Sequence, residues 1–263
     1  MTDIAVPAAP LAAWSQPRTV IVTGGASGIG LAIARRLAAE GAAIAVLDRD
    51  EVTATAAADS ITAAGGQAIG LAADVTDRPA IDDAVAQVRD QLGPPTILVT
   101  SAGLDGFDRF LTITPAGWER ILAVNLTGTF HCCQAAVPDM IEQRWGRIVT
   151  ISSSSAQTGN PLMTHYSAAK AGVVGFTKAL ALELGPQGIT VNTVPPGFVD
   201  TPMLRRSEAR GFLGTGVGQH EATTPVRRVG QPEDIAAACA FLVRDDASYI
   251  TGQVIAMNGG RTT

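Results

Sequence analysis

The stretch Thr19-Val20-Ile21-Val22-Thr23-Gly24-Gly25-Ala26-Ser27-Gly28-Ile29-Gly30 decides the fold. A short β-branched run reads as a strand over Thr19–Val22, and a glycine turn follows it. Helical periodicity then begins, with Ile29, Ile33 and Leu37 spaced by four and Gly41 as the stop. Strand, glycine turn and helix in that order suit a nucleotide phosphate. Glycines let the backbone approach the pyrophosphate, and the helix start offers unpaired N–H groups and partial positive charge. The spacing is Gly-x-x-x-Gly-x-Gly.

The same alternation continues along the chain. Strands are expected at 42–47, 67–72, 96–99, 147–152, 189–194 and 253–257, and helices at 51–64, 81–92, 115–142, 166–184 and 232–243. The strands are too continuously apolar for a half-exposed sheet. They predict an α/β fold, a doubly wound parallel sheet of about seven strands with helices on both faces. Residues 1–16, interrupted by Pro7 and Pro10, read as a flexible extension, and 17–263 as one domain. The polar stretch 201–231, with glycines at 211, 214, 216 and 218, reads as a mobile substrate loop.

Composition narrows the function. The chain has 263 residues, a net charge of −5 and only 16% charged residues. Disorder is excluded, and scattered arginines in an acidic chain argue against nucleic acid or an anionic membrane as partner. No basic region precedes the early apolar stretches, and no apolar run reaches membrane-spanning length. Cys132, Cys133 and Cys239 form no CxxC pair and read as buried thiols in a reducing cytoplasm. His131, His165 and His220 lack metal-ligand spacing, so no metal is expected.

The residues that carry chemistry cluster at strand ends. Asp48 closes the second strand, where an acid can accept from the adenosine ribose hydroxyls and repel a 2′-phosphate, which favours NAD over NADP. Asp74 ends the third strand, placed for an adenine amino group or a turn. Tyr166 and Lys170 lie at i and i+4 on one helix face. They are drawn from only two tyrosines and two lysines, the others being Tyr249 and Lys178. A phenol of pKa about 10 is a poor base at neutral pH, and an ammonium about 4 Å away would stabilise phenolate by about 4 kcal/mol at most. Ser152–Ser155 follow the fifth strand at the carboxyl edge, without a Gly-x-Ser-x-Gly elbow. Asn125, four from Ile121, faces inward and must find partners or order water.

Together these residues resemble the short-chain dehydrogenase/reductase family over about residues 17–260, with its single-domain Rossmann-type fold, and more closely its NAD-dependent secondary-alcohol dehydrogenases and 3-oxoacyl-acyl-carrier-protein reductases. The resemblance rests on Gly24, Gly28 and Gly30, on Val124-Asn125-Leu126-Thr127-Gly128, on Ser153 standing 13 residues before Tyr166, and on Lys170. Asp74-Val75, Pro196-Gly197 with Val199 and Thr201, Arg228, Gly230, Pro232-Glu233-Asp234-Ile235 and Asn258-Gly259-Gly260 extend it. It implies a catalytic tetrad of Asn125, Ser153, Tyr166 and Lys170. Tyr166 is then the general acid/base, Lys170 its pKa-lowering partner and ribose holder, Ser153 the donor to the substrate oxygen, and Asn125 the residue that orders a water. The implied cofactor contacts are Gly24, Ser27, Gly28, Ile29, Gly30, Asp48, Asp74, Val75, Ala102, Gly103, Tyr166, Lys170, Pro196, Gly197, Val199 and Thr201. The chain departs from the pattern at Thr100-Ser101-Ala102-Gly103, where the family has Asn-Asn-Ala-Gly, which puts the local hydrogen bonds of Thr100 in question. It departs again at Asn258, where Asp is common.

The expected substrate is a hydrophobic or alicyclic secondary alcohol or ketone, lined by Ser155, Leu162, Met163, Phe198, Met203 and Phe212, with Phe107, Phe110, Leu204 and Leu213 nearby. The alternatives are an NADPH-dependent 3-oxoacyl-acyl-carrier-protein reductase, a non-catalytic cofactor-binding regulator, and an epimerase or lyase. The family resemblance further implies a homotetramer.

Overall fold

The computed structural model describes residues 14–212 and 216–262. Six strands, β1 (Thr19–Thr23), β2 (Ala43–Asp48), β3 (Gln67–Ala72), β4 (Pro95–Thr100), β5 (Gly146–Ile151) and β6 (Ile189–Val194), form one parallel sheet in the order β3-β2-β1-β4-β5-β6. The helices are α1 (Gly28–Ala39), α2 (Glu51–Ala63), α3 (Arg78–Leu92), α4 (Pro115–Leu122), α5 (Gly128–Glu142), α6 (Ser155–Thr158), α7 (Thr164–Leu184), α8 (Pro202–Ala209), α9 (Val217–Thr223) and α10 (Pro232–Leu242).

Strand residues alternate between two apolar layers, which is why the sequence shows continuous apolar runs. Val20, Val22, Ile44, Val46, Ile97 and Val99 pack with α1, α2 and α10. Ile21, Ala45, Leu47, Leu98 and Ile148 pack with α3, α5 and α7. Cys132 and Cys133 lie in the second layer and Cys239 in the first, all buried. Helix starts are fixed locally. Asp50 Oδ1 accepts from Thr53 N at 2.8 Å, and Thr114 Oγ1 accepts from Gly117 N at 3.0 Å.

The topology places the site. The chain leaves β3 and returns to the other side of β1 as β4, so the turns after β1 and β4 diverge and open a cleft at the carboxyl ends of the strands.

Four sequence expectations need correction. Residues 253–257 do not form a seventh strand. They run beside β6 through isolated bridges, Thr193 with Val254 and Pro196 with Met257. Thr193 N donates to Gln253 O, and Gly197 N to Met257 O, at 2.9 Å each. Between them Ile255 N donates to Thr193 O at 2.9 Å and Met257 N to Pro195 O at 3.1 Å, but Pro195 has no N–H to give back to Ile255 O, so the ladder is broken at that point. The helix expected at 115–142 is not continuous, since a wide π turn over Ala123–Thr127 divides α4 from α5. The stretch 201–231 carries two helices, α8 and α9, and Thr201 Oγ1 caps α8 by accepting from Leu204 N at 3.2 Å; Leu213 lies outside the described residues. Finally, the chain is fastened before residue 17. Trp14 is buried and its indole N–H donates to Val243 O at 2.9 Å, Ser15 N donates to Asp245 Oδ2 at 2.7 Å, and residues 1–13 of the expected extension lie outside those described.

A cavity of about 540 Å³ opens at the amino ends of β5 and β6, lined by Arg18, Trp145, Arg147 and Thr190 among others. It lies at the opposite edge of the sheet from the cleft. Arg18 stacks on Trp145 at 3.5 Å and pairs with Asp245 at 3.4 Å.

Candidate active site

The glycine turn is built by close approach. Gly24 has φ +62°, and a Cβ there would lie 2.7 Å from Ala102 Cα. A Cβ on Gly30 would lie 2.2 Å from Gly24 O, so the first turn of α1 rests directly on the loop. Ala102 N donates to Thr23 Oγ1 at 3.2 Å and ties the turn to the segment after β4. Ser27 stands at the N-cap of α1 in extended conformation, and its hydroxyl makes no capping bond. The helix start therefore presents free N–H groups and a free hydroxyl, the donor set a phosphate needs. Ile29 packs against the first core layer.

Asp48 stands beside this turn. Its Oδ2 accepts from Ala26 N at 3.3 Å and its Oδ1 from Arg49 N at 2.9 Å. Asp74 takes the turn role instead: its Oδ1 accepts from Thr76 N at 2.8 Å and from Thr76 Oγ1 at 2.7 Å. Val75 is buried against Gly128, and Val75 O lies 3.0 Å from His131 Nδ1. Across the cleft, the Thr201 methyl group would touch a Cβ on Gly28 at 3.4 Å, while Val199 bridges to Gly230. Gly197 passes so close to Asn258 that a Cβ would lie 2.9 Å from its Cα, which holds the Pro196-Gly197 segment in place. The substitution at Thr100 has the consequence its sequence suggests: the hydroxyl is buried without a partner.

Asn125 occupies the middle of the π turn and is fully buried. Its Nδ2 donates to Ile121 O and to Leu104 O at 2.9 Å each, and its Oδ1 accepts from Leu104 N at 3.3 Å. Ile121 O is the carbonyl that the backbone N–H of residue 125 uses in a regular α-helix, so the side chain competes for it where the helix widens. Gly103 completes the corner. A Cβ there would lie 3.1 Å from Asn125 Oδ1 and 3.6 Å from Lys170 Nζ, so both groups face one small space.

Ser153 Oγ accepts from Ser155 Oγ at 2.9 Å and from Ser155 N at 3.2 Å, and stands near enough to the Tyr166 phenol to favour its ionised form. Lys170, one turn further along α7, is buried, and its Nζ donates to Ile151 O at 2.9 Å. Ser152 Oγ donates to Lys170 O at 2.8 Å and braces the helix at that point. The four residues thus come from three elements, the π turn, the segment after β5 and α7, and the loop after β4 packs against them through Gly103 and Leu104.

The electrostatics differ from the sequence expectation. Burial pushes the Tyr166 phenol up to about 12, the Asp105 carboxylate adds to the rise, and the nearby Ser153 hydroxyl opposes it. Burial lowers the Lys170 ammonium to about 8. Lys170 Nζ lies 5.9 Å from the Tyr166 ring centre and bonds a carbonyl, so desolvation outweighs the attraction that would make phenolate at neutral pH. At neutral pH the phenol holds its proton and is an acid beside a cation.

The expected substrate residues divide. Phe212 stacks face to face with Phe107 at 4.8 Å, joining the chain after α8 to the loop after β4. Phe198 stacks on His220 at 3.7 Å and packs with Leu204 against Val217 and Val229. Met163 is buried, with its sulfur 3.2 Å from Asn160 Nδ2. Leu162 is half-exposed at φ +68°, and its carbonyl accepts from Asp108 N at 2.8 Å. Ser155 supports Ser153, and Met203 O lies 3.1 Å from Ser207 Oγ, whose hydrogen goes to a closer carboxylate oxygen of Asp105. Phe110 points to solvent. Sequence reasoning missed Asp105, Ser207 and His165. His165, next to Tyr166, was visible as an uncommitted histidine; Asp105 and Ser207 meet only through the tertiary fold.

Comparison with known proteins places this geometry in context. The family model adh_short_C2, described as enoyl-(acyl carrier protein) reductase, matches residues 24–262. The chain is 41% identical to the short-chain reductase protein NovJ of Streptomyces niveus, over 95% of both chains. It is 41% identical to BbsD of Thauera aromatica, a subunit of (2S)-[(R)-hydroxy(phenyl)methyl]succinyl-CoA dehydrogenase, over 94% of this chain and 97% of that one. It is 39% identical to the 3-oxoacyl-[acyl-carrier-protein] reductase FabG of Haemophilus influenzae, over 93% of this chain and 98% of that one.

Proposed function

The chain belongs to the short-chain dehydrogenase/reductase family, oxidoreductases that work with a nicotinamide cofactor, and on that premise we propose an NAD-dependent enzyme acting on a hydrophobic or alicyclic secondary alcohol or ketone. The observation that carries the reading is Tyr166 and Lys170 one turn apart on α7, with Ser153 acting on the phenol, Lys170 buried and Asn125 Oδ1 facing Lys170 Nζ across Gly103.

The cofactor contacts assigned above fit a dinucleotide. Gly24 and Gly30 leave a cradle that a Cβ would fill, and the uncapped Ser27 completes the phosphate site. Asp48 beside the turn supports a ribose bearing free hydroxyls, hence NAD. When bound, the nicotinamide supplies the hydride acceptor or donor. The chain's own residues manage the proton. In the reductive direction the neutral Tyr166 hydroxyl gives its proton to the developing alkoxide, and the Ser153 hydroxyl donates to the same oxygen. In the oxidative direction Tyr166 must first lose its proton, which burial disfavours at neutral pH, and the resulting phenolate, attracted by the adjacent Lys170 ammonium, then takes the proton of the alcohol. After Tyr166 gives up its proton, Lys170 supplies one to the phenolate, and the space by Gly103, flanked by Asn125 Oδ1 and Lys170 Nζ, suits a water that returns a proton to Lys170.

The phenyl group beside the alcohol in the name of the Thauera dehydrogenase, whose named compound is otherwise a charged succinyl-CoA thioester, and the apolar Phe107 and Phe212 pair support an apolar group at the reacting carbon. Kinship with FabG favours a second reading, an NADPH-dependent 3-oxoacyl-thioester reductase. Cofactor titration combined with a panel of cyclic secondary alcohols, ketones and an acetoacetyl thioester tests both. Tighter binding of NADH and turnover of cyclic alcohols are expected. Tighter binding of NADPH with thioester reduction gives the second reading, and absence of any turnover gives the non-catalytic one.

The same reading makes the enzyme a cytoplasmic homotetramer. Partly exposed Trp118, Phe130 and Ile141 on α4 and α5, and Leu182 on α7, support subunit contacts. No helix among the described residues is long and apolar enough to cross a membrane.

A further inference from the structure

The loop after β4 brings a carboxylate to the tetrad. Leu104 is bonded through both its N–H and its carbonyl to the Asn125 amide. Gly106 lies so tightly on His165, the neighbour of Tyr166, that a Cβ would fall 2.7 Å from the imidazole. Asp105 stands between these two fixed points, so its position is set on both sides by the catalytic shelf. It remains partly exposed. Its Oδ2 accepts from Ser207 Oγ of α8 at 2.7 Å, and its charge is felt by the Tyr166 phenol. No cation pairs with it among the described residues. Asp108, the other acid of the loop, is turned away toward His165 Nε2 at 3.4 Å.

A carboxylate with one neutral donor and no counter-charge keeps acceptor capacity, and a second anion placed beside it is repelled. We propose that Asp105 is a specificity-determining residue of the cleft: it selects substrates carrying a hydroxyl or amino donor close to the reacting carbon and rejects those carrying a free carboxylate there. The assignment rests on the alcohol-oxidising reading above and adds the substrate's polar handle to its apolar ring. Phe107 and Phe212 cover the ring, and Asp105 takes the donor.

The probes are cyclohexylammonium and cyclohexanecarboxylate, one ring with opposite charges, titrated by calorimetry into the NAD-loaded protein. The ammonium is expected to bind at least about tenfold tighter, equal to about 1.4 kcal/mol. Asp105→Asn, which keeps an acceptor for Ser207, is expected to bring the ratio within about threefold, and Ser207→Ala, which leaves the carboxylate in place, to keep or widen it. Equal binding of the two probes, binding of neither, an unchanged ratio in Asp105→Asn or a collapsed ratio in Ser207→Ala overturns the proposal. Turnover separates this inference from the reaction itself. 1,2-Cyclohexanediol is expected to exceed cyclohexanol in kcat/KM in the native protein and to lose that lead in Asp105→Asn. A charge preference without turnover of any alcohol overturns the reaction and not the role of Asp105. Turnover of both alcohols at equal kcat/KM overturns the role of Asp105 and not the reaction.

Discussion

Lys170 Nζ stands 5.9 Å from the centre of the Tyr166 ring and gives a hydrogen bond to Ile151 O. Burial moves the two groups in opposite directions, the phenol up to about 12 and the ammonium down to about 8. Both changes favour the neutral form, so the protein spends stability on holding this pair dry.

That cost has a pH signature. The folded Lys170 titrates near 8 against an ordinary value of 10.5, so between those values the unfolded chain binds more protons and stability rises with pH. Lys170→Met removes the effect. The stability of the native protein relative to this variant should therefore climb between pH 8 and 10.5, by about 3 kcal/mol at most. Parallel denaturant titrations of the two proteins across this range measure it. A flat difference would show that the ammonium is not desolvated.

Tyr166→Phe should lower kcat/KM by about 100- to 10,000-fold. Thermal unfolding and NADH affinity should stay close to native, because only one hydroxyl is lost and the ring remains. Tyr249→Phe is the matched control, since Tyr249 is 101% exposed. Equal activity in both variants would remove Tyr166 from proton transfer.

Gly30→Ala should disrupt the phosphate cradle, since a Cβ would stand 2.2 Å from Gly24 O and backbone has to move. The expected loss is about 1–3 kcal/mol of stability and at least about tenfold in NADH affinity, read by denaturation and by quenching of the chain's tryptophan fluorescence.

Thr100→Val should stabilise. The Thr100 hydroxyl is buried without a partner, and valine keeps its shape. A gain of about 1 kcal/mol is expected, with NADH affinity within about twofold because Ala102 and Gly103 are untouched. A loss of stability in urea titration would mean that the hydroxyl is bonded in solution.

The parts of the fold that depend on neighbouring residues were legible in the sequence. The glycine turn, the apolar strands and the i, i+4 placement of Tyr166 and Lys170 are local patterns, and the sheet followed from their order. What escaped depends on contacts between distant residues or on one backbone atom. The π turn at Asn125 reflects its bonds to Leu104, 21 residues away. The seventh strand is lost to the single N–H that Pro195 lacks. The Asp105–Ser207 bond spans 102 residues and leaves no periodicity behind. The α8 start carries a local signal, Thr201-Pro202, a cap followed by proline at the first helical position, but it stands inside a stretch whose glycines point to a loop.

The indole of Trp14 closes over the end of α10, where its N–H satisfies Val243 O. This sets a limit on how far the chain can be trimmed from its amino end. A protein beginning at Asp3 or Pro10 keeps that plug, whereas one beginning at Pro17 exposes a helix terminus and the apolar floor beneath it. Shortened forms for crystallisation or display should therefore start upstream of Trp14.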